Sequence, residues 1–187
     1  MFILLTGKGG TGKTTACWKA LPGLRASGIK MAGFISPPLL DAGGKKTGIE
    51  MLNLATGEHH TFARVVGPED KADVGVYRLE PDAIDWARGV LAAALFSDID
   101  LLVIDEIGPL ELHRGGGFAF AIEPLSDPER IPNAIALVRL ELVDELAERL
   151  GRPDMVRVEV TADARGNVPA QIVKLVQEAR GRAGGQA

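Results

Sequence analysis

Apolar and polar positions divide this chain into short apolar runs that alternate with helical stripes. Phe2-Ile3-Leu4-Leu5-Thr6 is a continuous apolar run and predicts a buried strand. Ala16, Ala20, Leu21 and Leu24 recur at helical spacing, so Lys13 to Ser27 reads as a helix. Pro22 falls inside that stripe as a kink or early stop, and Gly28 ends it. Met31, Ala32, Phe34 and Ile35 predict a second strand within Lys30 to Ser36. The pattern then changes. Turn residues Asp41-Ala42-Gly43-Gly44 and Ala55-Thr56-Gly57-Glu58 bracket an extended run from Thr47 to Leu54, and His59 to Arg64 follows. Residues 30–78 therefore read as a β-rich insertion of antiparallel hairpins, closing with a strand over Val74 to Arg78.

Helix and strand then alternate again. Pro81 starts a helix whose apolar face is Ile84, Ala87, Leu91 and Leu95. Leu101-Leu102-Val103-Ile104 is apolar throughout, the pattern of a central parallel strand covered on both faces. Phe118 to Leu125 reads as helical and Ala134 to Val138 as a strand. Leu140, Val143, Ala147 and Leu150 mark a helix, and Val156 to Val160 a strand. Val168, Ile172, Leu175 and Ala179 mark a last helix, with a frayed tail from Gly181. The alternation predicts one α/β domain over residues 1–187: a doubly wound, mostly parallel sheet with helices on both faces and a β-hairpin insertion.

Composition adds boundaries rather than detail. With 46% hydrophobic and 25% charged residues the 187-residue chain reads as an ordinary globular domain. A net charge of −4 leaves no electrostatic footprint for nucleic acid. No apolar run approaches the ~20 residues that span a bilayer, so no membrane partner is expected. The single cysteine, Cys17, and a strand that opens at Phe2 lead to the expectation of a reducing, cytoplasmic setting without a leader.

The chemistry concentrates in two places. Gly7-Lys8-Gly9-Gly10-Thr11-Gly12-Lys13-Thr14-Thr15 reads GxxxxGK[ST] between a predicted strand and a predicted helix. That is a phosphate-binding P-loop. Its backbone N–H groups and the helix N-terminus form an anion cradle. Lys13 is expected to reach the β- and γ-phosphates of a nucleotide such as ATP or GTP, and Thr14 to ligate Mg²⁺. The second place is Asp105-Glu106, at the carboxyl end of the apolar strand, where ligands of open α/β sheets bind. Asp105 is expected to hold Mg²⁺ with Thr14. Glu106 is left to orient or deprotonate an attacking water, because a metal-bound carboxylate is poorly available as a base.

Arginines are the remaining candidates, since phosphoryl transfer often uses one for charge stabilisation. Arg64, Arg78, Arg114, Arg139 and Arg165 all fall near predicted strand ends or loops, Arg114 in the flexible run Leu112 to Gly117. Arg139 ranks first because it ends a core strand on the ligand side. His59 and His60 are neighbours on an extended segment and point to opposite faces, poor geometry for a metal. His113, Cys17, Trp18 and Trp86 read as surface or packing residues.

Two resemblances follow from these motifs. The P-loop matches GKGGxGK[ST]T and so resembles the deviant Walker A of septum-site and chromosome-partitioning ATPases and the nitrogenase iron protein. That likeness implies Lys8 reaching a partner's nucleotide across a dimer. Those proteins have a switch aspartate after the second strand and lack a glutamate after the Walker B aspartate, and the rest of this chain does not follow them. It resembles instead the small nucleoside-triphosphatase family of archaea, bacteria and animals, known in humans as cancer-related nucleoside-triphosphatase. Met31 to Ile35 is similar to the family's GF-containing strand, and Gly44 to Ile49 to G-x-R-x-G-F with Lys46 at the arginine. Val74 to Tyr77 is similar to VGKY with Val76 at the lysine, and Ile104 to Leu112 to IDEIGKMEL with Pro109 and Leu110 substituted. Val160 to Arg165 is similar to the late T-x-x-N-R motif. The resemblance implies a P-loop fold with an additional strand and glutamate-assisted, slow hydrolysis of several nucleoside triphosphates, with Arg165 near the base. A nucleotide-switched dimer acting on an unidentified protein partner and a small-molecule kinase stay open as alternatives.

Overall fold

A computed structural model of the chain describes residues 1–73 and 75–184. The elements are β1 (Phe2–Gly7), α1 (Lys13–Ala26), β2 (Met31–Ile35), β3 (Pro38–Leu40), β4 (Lys46–Asn53), β5 (His59–Val65), β6 (Tyr77–Leu79), α2 (Ala83–Leu95), β7 (Leu101–Ile107), α3 (Pro109–Arg114), α4 (Ile122–Ser126), β8 (Ala134–Arg139), α5 (Val143–Leu150), β9 (Met155–Glu159) and α6 (Val168–Gly184). They build one sheet in the order β6-β5-β4-β2-β7-β8-β1-β9, with β3 on β4. From β2 to β9 every pairing is parallel. From β2 outward to β6 every pairing is antiparallel.

Each central strand is apolar on both sides because helices cover both. Ile3 and Leu5 pack with α1 and α6 through Ala16, Cys17, Leu24, Ile172 and Val176. Phe2 and Leu4 face the other way, towards α2, α4 and α5, among Leu91, Leu125 and Leu146. Leu101, Leu102, Val103 and Ile104 are wholly buried, a burial that stabilises by about 1.5–3 kcal/mol per side chain. At Gly33 the backbone takes φ +89°, and a Cβ would lie 2.0 Å from the Val103 carbonyl oxygen. Only glycine lets β2 sit this close to β7.

Several expectations are corrected by the structure. The β-rich segment does not begin at residue 30: β2 is a parallel core strand on β7, and the antiparallel part starts at Pro38. That part continues the same sheet, since β4 pairs directly with β2. β3 has no sequence signal of its own, being three residues that start at a proline. The last of these strands is Tyr77–Leu79, later than expected; Val74 lies outside the described residues. Pro22 does not end α1, which runs on to Ala26, and Gly23 packs against Val173 of α6. Only the first half of the flexible run expected at Leu112 to Gly117 is helical: Leu112 to Arg114 belong to α3, started by Pro109 at its first turn, while Gly115 to Gly117 lie in the turn after it. Gly181 to Gly184 continue α6, and residues 185–187 lie outside the described residues.

Candidate active site

β1, β7 and β8 all end at the same edge of the sheet, and β8 lies between the other two. The additional strand therefore separates the P-loop strand from the Asp105–Glu106 strand. Gly7 is in register with Arg139, and Asp105 with Leu137. Asp105 thus meets Thr14 of the P-loop, 91 positions away in sequence, within one cleft at the carboxyl ends.

The loop from Gly7 to Gly12 feeds straight into α1, with Gly12 at φ +97°, a left-handed conformation that glycine adopts without penalty. Lys8, Gly9, Gly10 and Thr15 are exposed, and Gly7 is buried. Thr11 folds the loop back on itself, its hydroxyl donating to the Lys8 carbonyl at 2.9 Å. Lys13 is 7% exposed, and its ammonium donates to the Gly7 carbonyl at 3.0 Å. The same ammonium lies 3.7 Å from Glu106 Oε2.

Asp105 is buried. The Thr14 hydroxyl donates to its Oδ1 at 3.3 Å, and the Ser36 N–H donates to its Oδ2 at 2.9 Å. Burial pushes its carboxyl up to about 7, opposed by the donors from Ser36 and Thr14; nearby Glu106 adds to the rise and Lys13 opposes it. A buried carboxyl pushed towards neutrality gains from an added cation. One carboxylate and one hydroxyl, both hard oxygen donors, suit Mg²⁺, which takes few protein ligands and keeps waters and phosphate oxygens. Among the described residues no cluster of three His, Cys, Asp or Glu side chains offers an all-protein metal cage. The residues fit the ion on these grounds.

Glu106 occupies a register irregularity of β7, between Asp105 paired to Leu137 and Ile107 paired to Val138. Its carboxylate is about a third exposed and points into the same cleft: Oε1 accepts from Arg139 Nε at 3.0 Å, while Oε2 faces Lys13. Of the five candidate arginines, Arg139 is the one brought to the acidic pair. Arg64 pairs with Glu80 and Arg78 with Asp70, on the antiparallel strands. Arg114 ends α3, exposed. Arg165 is exposed in the turn after β9, where its N–H bonds the Thr161 carbonyl at 3.0 Å.

The remaining sequence candidates lie in packing or surface roles. His59 pairs with Glu50, and His60 stacks on Trp86 with ring centroids 5.0 Å apart. His113 meets Glu145 at 2.9 Å on the α3–α5 side. Cys17 is wholly buried, and burial pushes its thiol well above the usual range. Trp18 is less of a core residue than expected, at 38% exposed. Ser36 was not singled out by any motif. Its only sequence signal is its place at the carboxyl end of β2, on the ligand edge.

A P-loop, an acidic pair on the second strand over, and a parallel sheet with an added strand define a P-loop NTPase. Residues 2–173 match the model of the NTPase family, and the chain belongs to that family. It is similar to the nucleoside-triphosphatase THEP1 of Methanopyrus kandleri, 32% identical over 94% of this chain and 95% of that protein. A second relative of the same name, from Hyperthermus butylicus, is 30% identical over 98% of this chain and 95% of its own length. Among solved structures, THEP1 from the hyperthermophile Aquifex aeolicus matches with a TM-score of 0.68 over 94% of this chain and 99% of that one, a likeness of fold at 23% identity. The solution structure of a human cancer-related nucleoside triphosphatase matches with a TM-score of 0.66 at 28% identity, over 95% and 97% of the two chains. No helix among the described residues is long and apolar enough to cross a membrane.

Proposed function

We propose that this chain hydrolyses nucleoside triphosphates, ATP and GTP among them, to the diphosphate and phosphate with Mg²⁺, in a cytoplasmic setting. The observation that carries the reading is the division of labour between adjacent carboxylates. Asp105 is buried against Thr14, whereas Glu106 is partly open beside Lys13 and free of Thr14. The family's relatives named as nucleoside-triphosphatases support the activity.

The steps follow from the side chains. The P-loop N–H groups and Lys13 hold the β- and γ-phosphates. To do so, Lys13 exchanges its bond to the Gly7 carbonyl for phosphate oxygens, which also leaves Glu106 Oε2 free for water. Thr14 and Asp105 would hold Mg²⁺, which when bound neutralises charge on the phosphate oxygens. Glu106 takes a proton from the water as its oxygen bonds to the γ-phosphorus. The bond to the bridging oxygen breaks, and its electron pair stays with the diphosphate. Arg139 keeps Glu106 aimed through Oε1. Arg165, exposed after β9, is proposed to lie against the base, a contact compatible with several bases.

The test is phosphate release with Mg²⁺ and each of ATP, GTP, CTP and UTP, run beside Glu106→Gln and Lys13→Ala. Release from several nucleotides is expected, with Glu106→Gln slower by about 10²–10⁴-fold, the usual worth of a general base, yet still binding nucleotide. Lys13→Ala is expected to lose tight binding. Equal turnover by Glu106→Gln and wild type would sink the assignment of the base.

A further inference from the structure

The parallel ladder between β2 and β7 runs from Met31 beside Leu101 to Phe34 beside Ile104, and its registered pairs stop there. Beyond that point the two strands are joined by Ser36. Its N–H donates to Asp105 Oδ2 at 2.9 Å, and its hydroxyl donates to the Asp105 backbone carbonyl at 2.7 Å. One residue thus grips both the side chain and the main chain of another. The grip leaves Oδ1 as the oxygen that meets the Thr14 hydroxyl.

Ser36 is itself restrained. It precedes Pro37, and a residue before proline is confined to extended backbone. The Pro37 carbonyl accepts from the Glu50 N–H of β4 at 3.0 Å. The serine is therefore held by the antiparallel strands on one side while it holds Asp105 on the other. Little further entropy is lost when it makes its two bonds.

Resting on the reading of Asp105 and Thr14 as the Mg²⁺ groups, we propose that Ser36 is a positioning residue: its hydroxyl, anchored on the Asp105 main-chain carbonyl, keeps the Ser36 N–H against Oδ2 and so sets the Asp105 rotamer for the metal. It acts through Asp105. Groups that orient a metal ligand typically change metal affinity or activity by about 10–100-fold when removed. A serine that merely tied β2 to β7 would lower the melting temperature and leave the metal dependence of nucleotide binding alone.

The experiment is calorimetric titration of ADP into the whole chain, with and without Mg²⁺, for wild type, Ser36→Ala and Ser36→Thr, with a thermal melt of each. Ser36→Ala is expected to bind ADP without metal within about twofold of wild type and to lose about tenfold of the Mg²⁺-dependent gain. Ser36→Thr, which keeps the hydroxyl, is expected to restore it. An undiminished gain in Ser36→Ala overturns the proposal and leaves the hydrolysis reading standing. Wild type that binds ADP equally with and without Mg²⁺ overturns the metal reading of Asp105, and this proposal with it. Should the alanine chain fail to fold, Ser36→Cys carries the test: it is close in size, and its thiol is a weak donor, so a smaller gain supports the proposal and an unchanged gain refutes it.

Discussion

Replacing Glu111 with alanine should destabilise the fold more than any surface substitution near the site. Glu111 is 5% exposed. Its Oε2 accepts the Gly108 N–H at 2.9 Å, and its Oε1 accepts the Phe118 N–H at 3.2 Å. One carboxyl group therefore closes residues 108–118 around itself. The fit is so close that a Cβ on Gly117 would lie 2.0 Å from Oε1. Alanine removes both acceptors and leaves two buried N–H groups without partners. At about 1–3 kcal/mol for each orphaned donor, the loss is about 2–6 kcal/mol. For a domain of this length 1 kcal/mol shifts the midpoint by about 2–4 °C, so the melting temperature should fall by at least about 4 °C. Circular dichroism on wild type, Glu111→Ala and Glu111→Gln measures it. Glutamine keeps one acceptor oxygen and should lose at least one bond, about 1–3 kcal/mol. An alanine variant that melts within 1 °C of wild type would refute the account of Glu111 as the hub of this segment.

Two further outcomes concern stability elsewhere. Arg152 beside Asp154 holds that carboxyl well below the usual carboxylate range. Its stabilisation is thus present above the unfolded value of about 3.9 and is lost as pH falls from there towards the depressed folded value. Urea midpoints of wild type and Asp154→Asn should differ at pH 7 and converge in acid; a gap that stays constant to pH 2 contradicts this. Thr6 is wholly buried, and its hydroxyl has no partner among the described residues. Thr6→Val, nearly isosteric, should stabilise by about 1 kcal/mol, since an unpaired buried hydroxyl is costly. A lower melting midpoint for the valine chain would show that the hydroxyl has a bond after all.

What could be read along the chain was whatever is written in neighbouring residues. The P-loop announces itself because cradle, lysine and hydroxyl must be contiguous to wrap one phosphate chain. The apolar run Leu101 to Ile104 announces a central strand because burial on both faces removes any reason for alternation. Asp105 and Glu106 could be placed at the ligand edge because a parallel strand ends where ligands bind. Short pieces failed where context outweighs propensity. β3 exists because β4 is beside it, and α3 takes in Leu112 to Arg114 ahead of the glycines, because Pro109 starts the turn and Glu111 caps it.

The sequence by itself determined the fold class, the glycine-rich loop between β1 and α1 and the acidic pair on β7, since each is a local pattern of spacing and burial. Tertiary structure alone decided that β8 stands between β1 and β7, so that Arg139 reaches Glu106 across 33 positions of chain. It decided that the antiparallel strands of the insertion extend the same sheet. It also brought Ser36 to Asp105 from 69 positions away. Contacts of that kind depend on strand order and register. These are set by which faces pack together over the whole sheet, and no window of sequence contains both partners.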